Sequence, residues 1–396
     1  MTATHTKTAA APDAVDFLGL DALLSDEERL IRDTVRAFVR DRVLPHIGDW
    51  FEEGYLPREL GRELGRLGLL GMHLHGYECP GASAVAYGIA CMELEAGDAG
   101  VRSFASVQGS LAMFAIHRWG SEEQKRAWLP RMARGEAIGC FGLTEPDFGS
   151  NPAGMRTFAR RDGSDWVLNG TKLWITNGSI ADLAIVWANT DDGIRGFIVE
   201  KGLPGFTTSD IHKKISLRAS ITSELAFQDV RLPADAQLPL AKGLSGPLAC
   251  LSEARFGIIW GAMGAARACY ESALDYAKTR VQFDRPIGGF QITQEKLANM
   301  LLELGKGSLL ALHLGRMKDE GRLHPSQVSF GKLNNVREAL QICREARTIL
   351  GANGVTLEYP VIRHMNNLES VLTYEGTSEV HTLVIGQQIT GISAFV

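Results

Sequence analysis

The chain has 396 residues, of which 45% are hydrophobic and 22% charged, and its formal net charge is -5. That length is more than one hydrophobic core usually organises, so two or three domains are expected. The mildly acidic balance excludes a general nucleic-acid binder, which needs a basic stripe, and no run approaches the roughly 20 apolar residues of a membrane span.

Residues 1–24, Ala- and Thr-rich at the start, have no apolar segment of signal-peptide type and read as a flexible tail. Residues 25–138 read as a helical domain. Ser25 followed by Asp26, Glu27 and Glu28 makes a helix start. Leu30, Ile31, Val35, Phe38 and Val39 then form one apolar stripe, which Pro45 closes. Further helices are predicted over 57–69, 83–96, 103–119 and 122–133. Over 139–243 the period changes to that of strands. Asn169-Gly170 between the apolar runs 166–168 and 173–175 predicts a hairpin. Asp191-Asp192-Gly193 predicts a second turn, between 183–189 and 196–200, and 225–227 with 230–232 reads as a last strand pair. The natural reading is a small antiparallel β-domain. From 244 to 396 long helices return, over 251–279, 291–320 and 326–350 with a last one from near Ser378, and four such helices point to a bundle. The six cysteines (Cys79, Cys91, Cys140, Cys250, Cys269 and Cys343) lack CxxC spacing. They read as buried thiols of a reducing, cytoplasmic compartment rather than zinc ligands.

Four segments carry chemistry. In Leu372-Thr-Tyr-Glu-Gly-Thr-Ser-Glu-Val380, Gly376 lets the chain bend after Glu375, and Thr377 or Ser378 can cap the next helix. A carboxylate there, beside Val371, Leu372 and Tyr374, is poorly solvated and can be raised toward the range of a general base. The stretch 140–150 pairs with Trp174-Ile175-Thr176-Asn177. Its glycines, Thr144, Thr176 and Trp174 can cradle a planar heterocycle. Arg280-Val-Gln-Phe-Asp-Arg-Pro286 ends a long helix and can reach a phosphate or adenine, and Gly351-Ala-Asn-Gly354 offers backbone N–H groups of the kind that hold phosphate. Taken singly, each segment also has an ordinary explanation as a turn, a cap or a solvated helix end. None is a GxGxxG after a strand.

Together, in this order and at these intervals, the TEPDFGS, WITN, RVQFDRP and YEGT stretches resemble the acyl-CoA dehydrogenase family over about residues 25–395. The resemblance implies a mainly helical fold with a central β-domain: an N-terminal helical domain, a barrel-like middle domain and a C-terminal four-helix bundle. It implies FAD as cofactor and an acyl-CoA as substrate. Electrons would leave to an electron-transfer flavoprotein, and FAD shared between subunits would make a homotetramer, a dimer of dimers. Glu375 falls on the family's catalytic base, which takes the alpha proton while a hydride leaves the beta carbon for flavin N5. The Glu375 backbone N–H and a ribityl hydroxyl of FAD would hold the thioester oxygen. Phe141, Leu143, Thr144, Gly149, Ser150, Trp174, Ile175 and Thr176 fall on flavin-contacting positions. Arg280, Gln282 and Phe283 match residues that hold a neighbouring subunit's FAD, and Gln291 falls on a further FAD-binding position. Gly351, Asn353, Gly354 and Thr377 match further FAD contacts.

Within the family the chain most resembles the glutaryl-CoA dehydrogenases, through Glu93-Leu-Glu-Ala-Gly-Asp-Ala-Gly-Val-Arg-Ser103. Glu95, Arg102 and Ser103 would meet the distal carboxylate of glutaryl-CoA, with Tyr374 and Arg255 also lining the substrate. That branch oxidises and decarboxylates glutaryl-CoA to crotonyl-CoA. The alternatives are a desaturase of another acyl thioester, a flavin oxidase or a non-catalytic scaffold. Asn151, Asp284, Ala352 and the loop 75–81 depart from the family pattern, and Asp284 adds negative charge beside a phosphate-contacting stretch.

Overall fold

The computed structural model describes residues 11–394. Residues 1–10 of the expected tail, and Phe395 of the chain end, lie outside the described residues. The rest of that tail packs on the third block. Residues Leu20–Leu23 form a 3-10 turn, Ala14 O accepts from Tyr270 Oη at 2.8 Å, and Val15 joins an apolar cluster of the C-terminal helices.

The first block holds α1 (Asp26–Phe38), α2 (Ile47–Glu53), α3 (Leu60–Arg66), a two-stranded ribbon of β1 (His75–Gly76) and β2 (Cys79–Pro80), α4 (Ala84–Gly97), α5 (Ala99–Ser106), α6 (Phe114–Trp119) and α7 (Glu122–Ala133). Ser25 caps α1 as expected. It accepts from Glu28 N at 3.2 Å, while Glu28 Oε2 accepts from Ser25 N at 2.8 Å. Leu30 leaves the predicted stripe and is 68% exposed. The helix predicted to open at 103 starts earlier. Asp98 is extended, its carboxylate accepts from Gly100 N at 2.6 Å, and α5 therefore begins at Ala99.

A buried charge cluster fastens this block to the next helices. Glu93 on α4, 1% exposed, takes both Arg36 and Arg267, at 2.7–3.0 Å. Burial opposes its ionisation, but the two guanidinium groups win and hold its carboxyl at about 2. The folded value lies below the unfolded one, so this stability is present above pH 4.5 and lost as pH falls toward 2. The shift corresponds to about 3 kcal/mol. Glu93→Gln is therefore expected to lower the melting temperature at pH 7 and to flatten the acid limb of stability, read by thermal melts across pH 3–7.

The middle block consists of β3 (Gly139–Gly142), β4 (Phe158–Asp162), β5 (Asp165–Thr176), β6 (Leu183–Ala188), β7 (Arg195–Glu200), β8 (Phe206–Asp210) and β9 (Thr222–Leu232). They form two sheets, β3-β6-β7 and β4-β5-β9-β8, whose inner faces share one apolar core of Cys140, Val186 and Phe197 against Trp166, Leu168 and Phe227. An isolated bridge ties Phe158 of the edge strand β4 to Asn189, just past the central strand β6, and so links the two sheets. The turn at Asp191-Asp192-Gly193 falls between β6 and β7 as read.

Two other strand expectations are corrected. Asn169-Gly170 is no hairpin: β5 continues through it, opposite a bulge in β9 where Gln228 and Asp229 face Asn169 alone. The Asn169 amide holds Asp229 through Nδ2 to Oδ1 at 3.1 Å and Asp229 N to Oδ1 at 2.9 Å. A side chain at Gly170 would strike Thr157. The hairpin uses Gly163-Ser164 instead, between β4 and β5. Likewise 225–227 and 230–232 belong to the single strand β9, bent at Asp229 with φ 50. The domain is not wholly antiparallel, because β3 pairs parallel to β6, a pairing the long excursion through the second sheet permits.

The third block is α8 (Ser245–Thr279), a ribbon of β10 (Val281–Gln282) and β11 (Arg285–Pro286), α9 (Gln291–Asp319), α10 (Pro325–Leu350), α11 (Val361–Thr373) and α12 (Ser378–Thr390). The helix α11 was not anticipated as an element of its own. Its buried Val361, Leu368 and Val371 join Ile258 and Met263 of α8, Met300 of α9 and Val336 of α10 in one bundle core. All six cysteines are buried and unpaired, and no helix among the described residues is long and apolar enough to cross a membrane.

Candidate active site

The turn between α11 and α12 is built to present one side chain. Tyr374 closes α11 in extended conformation. Glu375 and Gly376 then take left-handed values, φ 53 and 96, which a residue with a Cβ adopts only under constraint. Thr377 caps α12 by accepting from Val380 N at 3.3 Å, as expected of either Thr377 or Ser378. The constraint is a set of carbonyl contacts. Lys332 Nζ donates to Tyr374 O and to Gly376 O, both at 2.6 Å, and Arg255 Nε donates to Glu375 O, also at 2.6 Å. Arg255, expected on the substrate, thus has its Nε on the loop. Lys332 was missed, because a lone lysine on the inner face of α10 gives no sequence signal.

The Glu375 carboxylate has Oε2 buried without a hydrogen-bond partner. Burial raises it above the ordinary carboxylate value, against the pull of Arg102, Lys332 and Arg255. A poorly solvated carboxylate with a free oxygen can accept a proton from carbon.

Beside it lies a buried ion pair. Arg102 on α5 and Glu95 on α4 are both 0% exposed, and Arg102 Nε donates to Glu95 Oε2 at 2.6 Å. Arg102 Nη2 donates to the Tyr374 hydroxyl, which stands 3.5 Å from Ser103 Oγ. Thus Glu95, Arg102, Ser103, Tyr374 and Glu375 are joined by contacts or by sequence. Burial pushes Glu95 upward even so close to Arg102, while Glu95 and Tyr374 keep Arg102 charged against its own burial. Gly261 of α8 makes room for the pair, since a Cβ there would lie 2.1 Å from Glu95 Oε2. Arg102 Nη1, Glu95 Oε1 and the Ser106 hydroxyl are left buried without partners.

The second cluster is at the end of β3 and along β5. Leu173 N donates to Thr144 O at 2.9 Å, joining the two stretches. Trp174 leaves the strand alternation at φ 64 and is 57% exposed, whereas Phe141, Leu143 and Ile175 are buried core residues that can offer a ligand only their backbone. Thr144 and Thr176 are half-buried, and Gly149 and Ser150 are exposed. Glu145 is neutralised within the loop by Lys172 Nζ at 2.8 Å, Arg156 N at 2.6 Å and Thr157 N at 2.9 Å. The face left open is one exposed indole with small and hydroxyl groups, which fits a flat, hydrogen-bonding ring system.

The third cluster sits at the far end of α8. Asn353 Nδ2 donates to Tyr276 Oη at 3.1 Å, and Arg280 N to Tyr276 O at 2.8 Å. Gly351 is exposed at φ 60, while Gly354 packs against the Arg347 carbonyl. The β10–β11 ribbon leaves Phe283 89% exposed, and Gln282 and Gln291 are exposed beside it. From Arg255 to Tyr276 the helix spans about 30 Å. Arg280, Gln282, Phe283, Gln291, Gly351 and Asn353 therefore do not converge on Glu375 within one chain.

Three sequence models of one family cover most of the chain: the acyl-CoA dehydrogenase N-terminal domain over residues 25–136, the middle domain over 140–230 and the C-terminal domain over 241–390. The chain belongs to the acyl-CoA dehydrogenase family and is an FAD-dependent acyl-CoA dehydrogenase. A glutaryl-CoA dehydrogenase from Mycobacterium smegmatis is 68% identical, with a TM-score of 0.96 over 97% of this chain and 100% of that one. A second structure of a glutaryl-CoA dehydrogenase from that organism, in complex with FADH2, is 65% identical, with a TM-score of 0.96 over 97% and 100% of the two chains. The human mitochondrial short-chain specific acyl-CoA dehydrogenase is 36% identical over 370 residues, 91% of this chain and 90% of that protein. The open indole face, the internally neutralised Glu145 and the orphaned Glu375 oxygen are compatible with the isoalloxazine of FAD.

Proposed function

We propose that the chain is a glutaryl-CoA dehydrogenase, oxidising and decarboxylating glutaryl-CoA to crotonyl-CoA and carbon dioxide. The observation that carries this reading is Arg102, a fully buried guanidinium with an unpartnered Nη1, hydrogen-bonded to the tyrosine next to Glu375. Burying a guanidinium is costly unless its donors are satisfied. A plain short acyl tail offers it nothing, whereas the distal carboxylate of a dicarboxylic thioester supplies the missing acceptor.

Glu375 takes the alpha proton of the thioester. The open face at Thr144, Trp174 and Thr176 would hold FAD, which when bound would supply the acceptor for the hydride that leaves the beta carbon. Arg102 then orients the distal carboxylate, with the Ser103 hydroxyl beside it. Glu95 keeps the local field near neutral, so that the carboxylate is held without being locked in its ionic ground state. Loss of carbon dioxide leaves a dienolate, and protonated Glu375 is placed to return its proton and regenerate the base.

We take an electron-transfer flavoprotein as the acceptor of the electrons. The exposed Phe283 ribbon, about 30 Å along α8 from the base, supports an assembly in which it completes a neighbour's FAD site, as a homotetramer would allow. Incubation with glutaryl-CoA and an artificial acceptor is expected to yield crotonyl-CoA and carbon dioxide in equal amounts. Accumulation of glutaconyl-CoA would remove the decarboxylation step. Turnover of butyryl-CoA alone would remove the dicarboxylic substrate.

A further inference from the structure

Three successive carbonyls of the Glu375 turn face two cations drawn from different helices: Lys332 of α10 on the first and third, Arg255 of α8 on the middle one. Lys332 is 2% exposed. Two carbonyls could equally be satisfied by an uncharged amide, and a buried ammonium is the more expensive choice. The charge therefore has to act on something near it, and the carboxylate between those carbonyls is the only anion the turn carries.

The charged and titratable groups facing Glu375 are Cys91 and Glu95 of α4, Arg102 of α5, Arg255 of α8, Lys332 of α10 and the adjacent Tyr374; burial pushes the Cys91 thiol and the Tyr374 hydroxyl up to about 12, so both are neutral. His381 of α12 faces the two cations, and burial pushes it down to about 3, so it is neutral. Arg102 is already shared with Glu95 and, in the reading above, with the substrate carboxylate. Arg255 and Lys332 are left to balance the base.

We propose that Lys332 is a positioning residue for Glu375: its ammonium fixes the 374–376 turn through two carbonyls and keeps the carboxylate ionised in its buried setting. This rests on Glu375 being the base. Burial lowers Lys332 itself to about 7, Glu375 pulls it back up, and Arg255 and Arg102 push it further down. Each charge thus sustains the other. Once Glu375 has taken a proton, Lys332 is left facing only other cations, which drives Glu375 to release that proton and reset.

The test uses the FAD-loaded enzyme and follows kcat and KM against pH. Removing the cation raises the Glu375 pKa, so the pH at which kcat rises moves upward. Lys332→Met is expected to lower kcat at least about 30-fold with KM within about threefold, and to move the acid limb up by about one pH unit or more. Lys332→Gln keeps N–H donors without charge and guards against a Met variant that fails to fold; its limb should move equally. Lys332→Arg restores the charge and should return the limb to its original position. Limbs unmoved in both neutral variants would overturn the proposal. Glu375→Gln is measured alongside: activity in that variant would overturn the base assignment itself, whereas an inactive Glu375→Gln with unmoved Lys332 limbs would leave the base and remove only Lys332.

Discussion

Glu375→Gln is expected to lose turnover while keeping its flavin colour and its fold. Glutamine is nearly isosteric, and the turn is held by carbonyl contacts from Lys332 and Arg255 that do not involve the side chain. What disappears is the ability to accept a carbon-bound proton, a role commonly worth about 10^2- to 10^4-fold. The variant should also be no less stable at neutral pH. Burial raises the carboxyl above its unfolded value, so ionised Glu375 weakens the fold as pH rises through the folded pKa, and an uncharged amide is spared that penalty. Lost activity with an unchanged or higher melting temperature is the expected signature of a functional group kept at the expense of stability. Full activity in Glu375→Gln would end the assignment.

Arg102→Met is expected to separate substrates. A dicarboxylic thioester loses a buried charged partner, an effect of about 3–5 kcal/mol that corresponds to roughly 10^2- to 5 × 10^3-fold in kcat/KM for glutaryl-CoA. Butyryl-CoA, which has no distal carboxylate, should change by no more than about threefold. The same substitution strands Glu95, which is 0% exposed and has Oε1 already without a partner. The single variant should therefore melt earlier. Adding Glu95→Gln should recover much of that stability and none of the selectivity. Thermal melts of the single and double variants, beside kcat/KM on both thioesters, check the two effects separately. Equal losses on the two substrates would take Arg102 out of tail recognition.

The parts of this fold legible in the sequence were those governed by local chemistry. The Ser25 cap, the turn at Asp191-Asp192-Gly193, the long C-terminal helices and the Thr377 cap all follow from a few adjacent residues. What misled were local signals overruled by partners far away in sequence. Asn169-Gly170 has the composition of a tight turn, yet a facing bulge at Asp229 makes it a kink within one long strand. The start of α5 depended on Asp98, which also binds Arg363 and Asn367 of α11, at 2.5 and 2.8 Å. Within the candidate site, the charged residues on motifs were found. Lys332 was not, because its meaning lies wholly in the two carbonyls it meets more than forty positions later.

Because the scaffold holds position 375 by main-chain oxygens, the shape of the turn is set apart from the side chain that stands there. The same socket can display a shorter acid with Lys332 and Arg255 still matched to an anion, whereas a neutral group there leaves the two cations without one. A lineage carrying such a socket can change its chemistry by a single codon, and a chemist wishing to install a new reaction in this frame would begin at that residue.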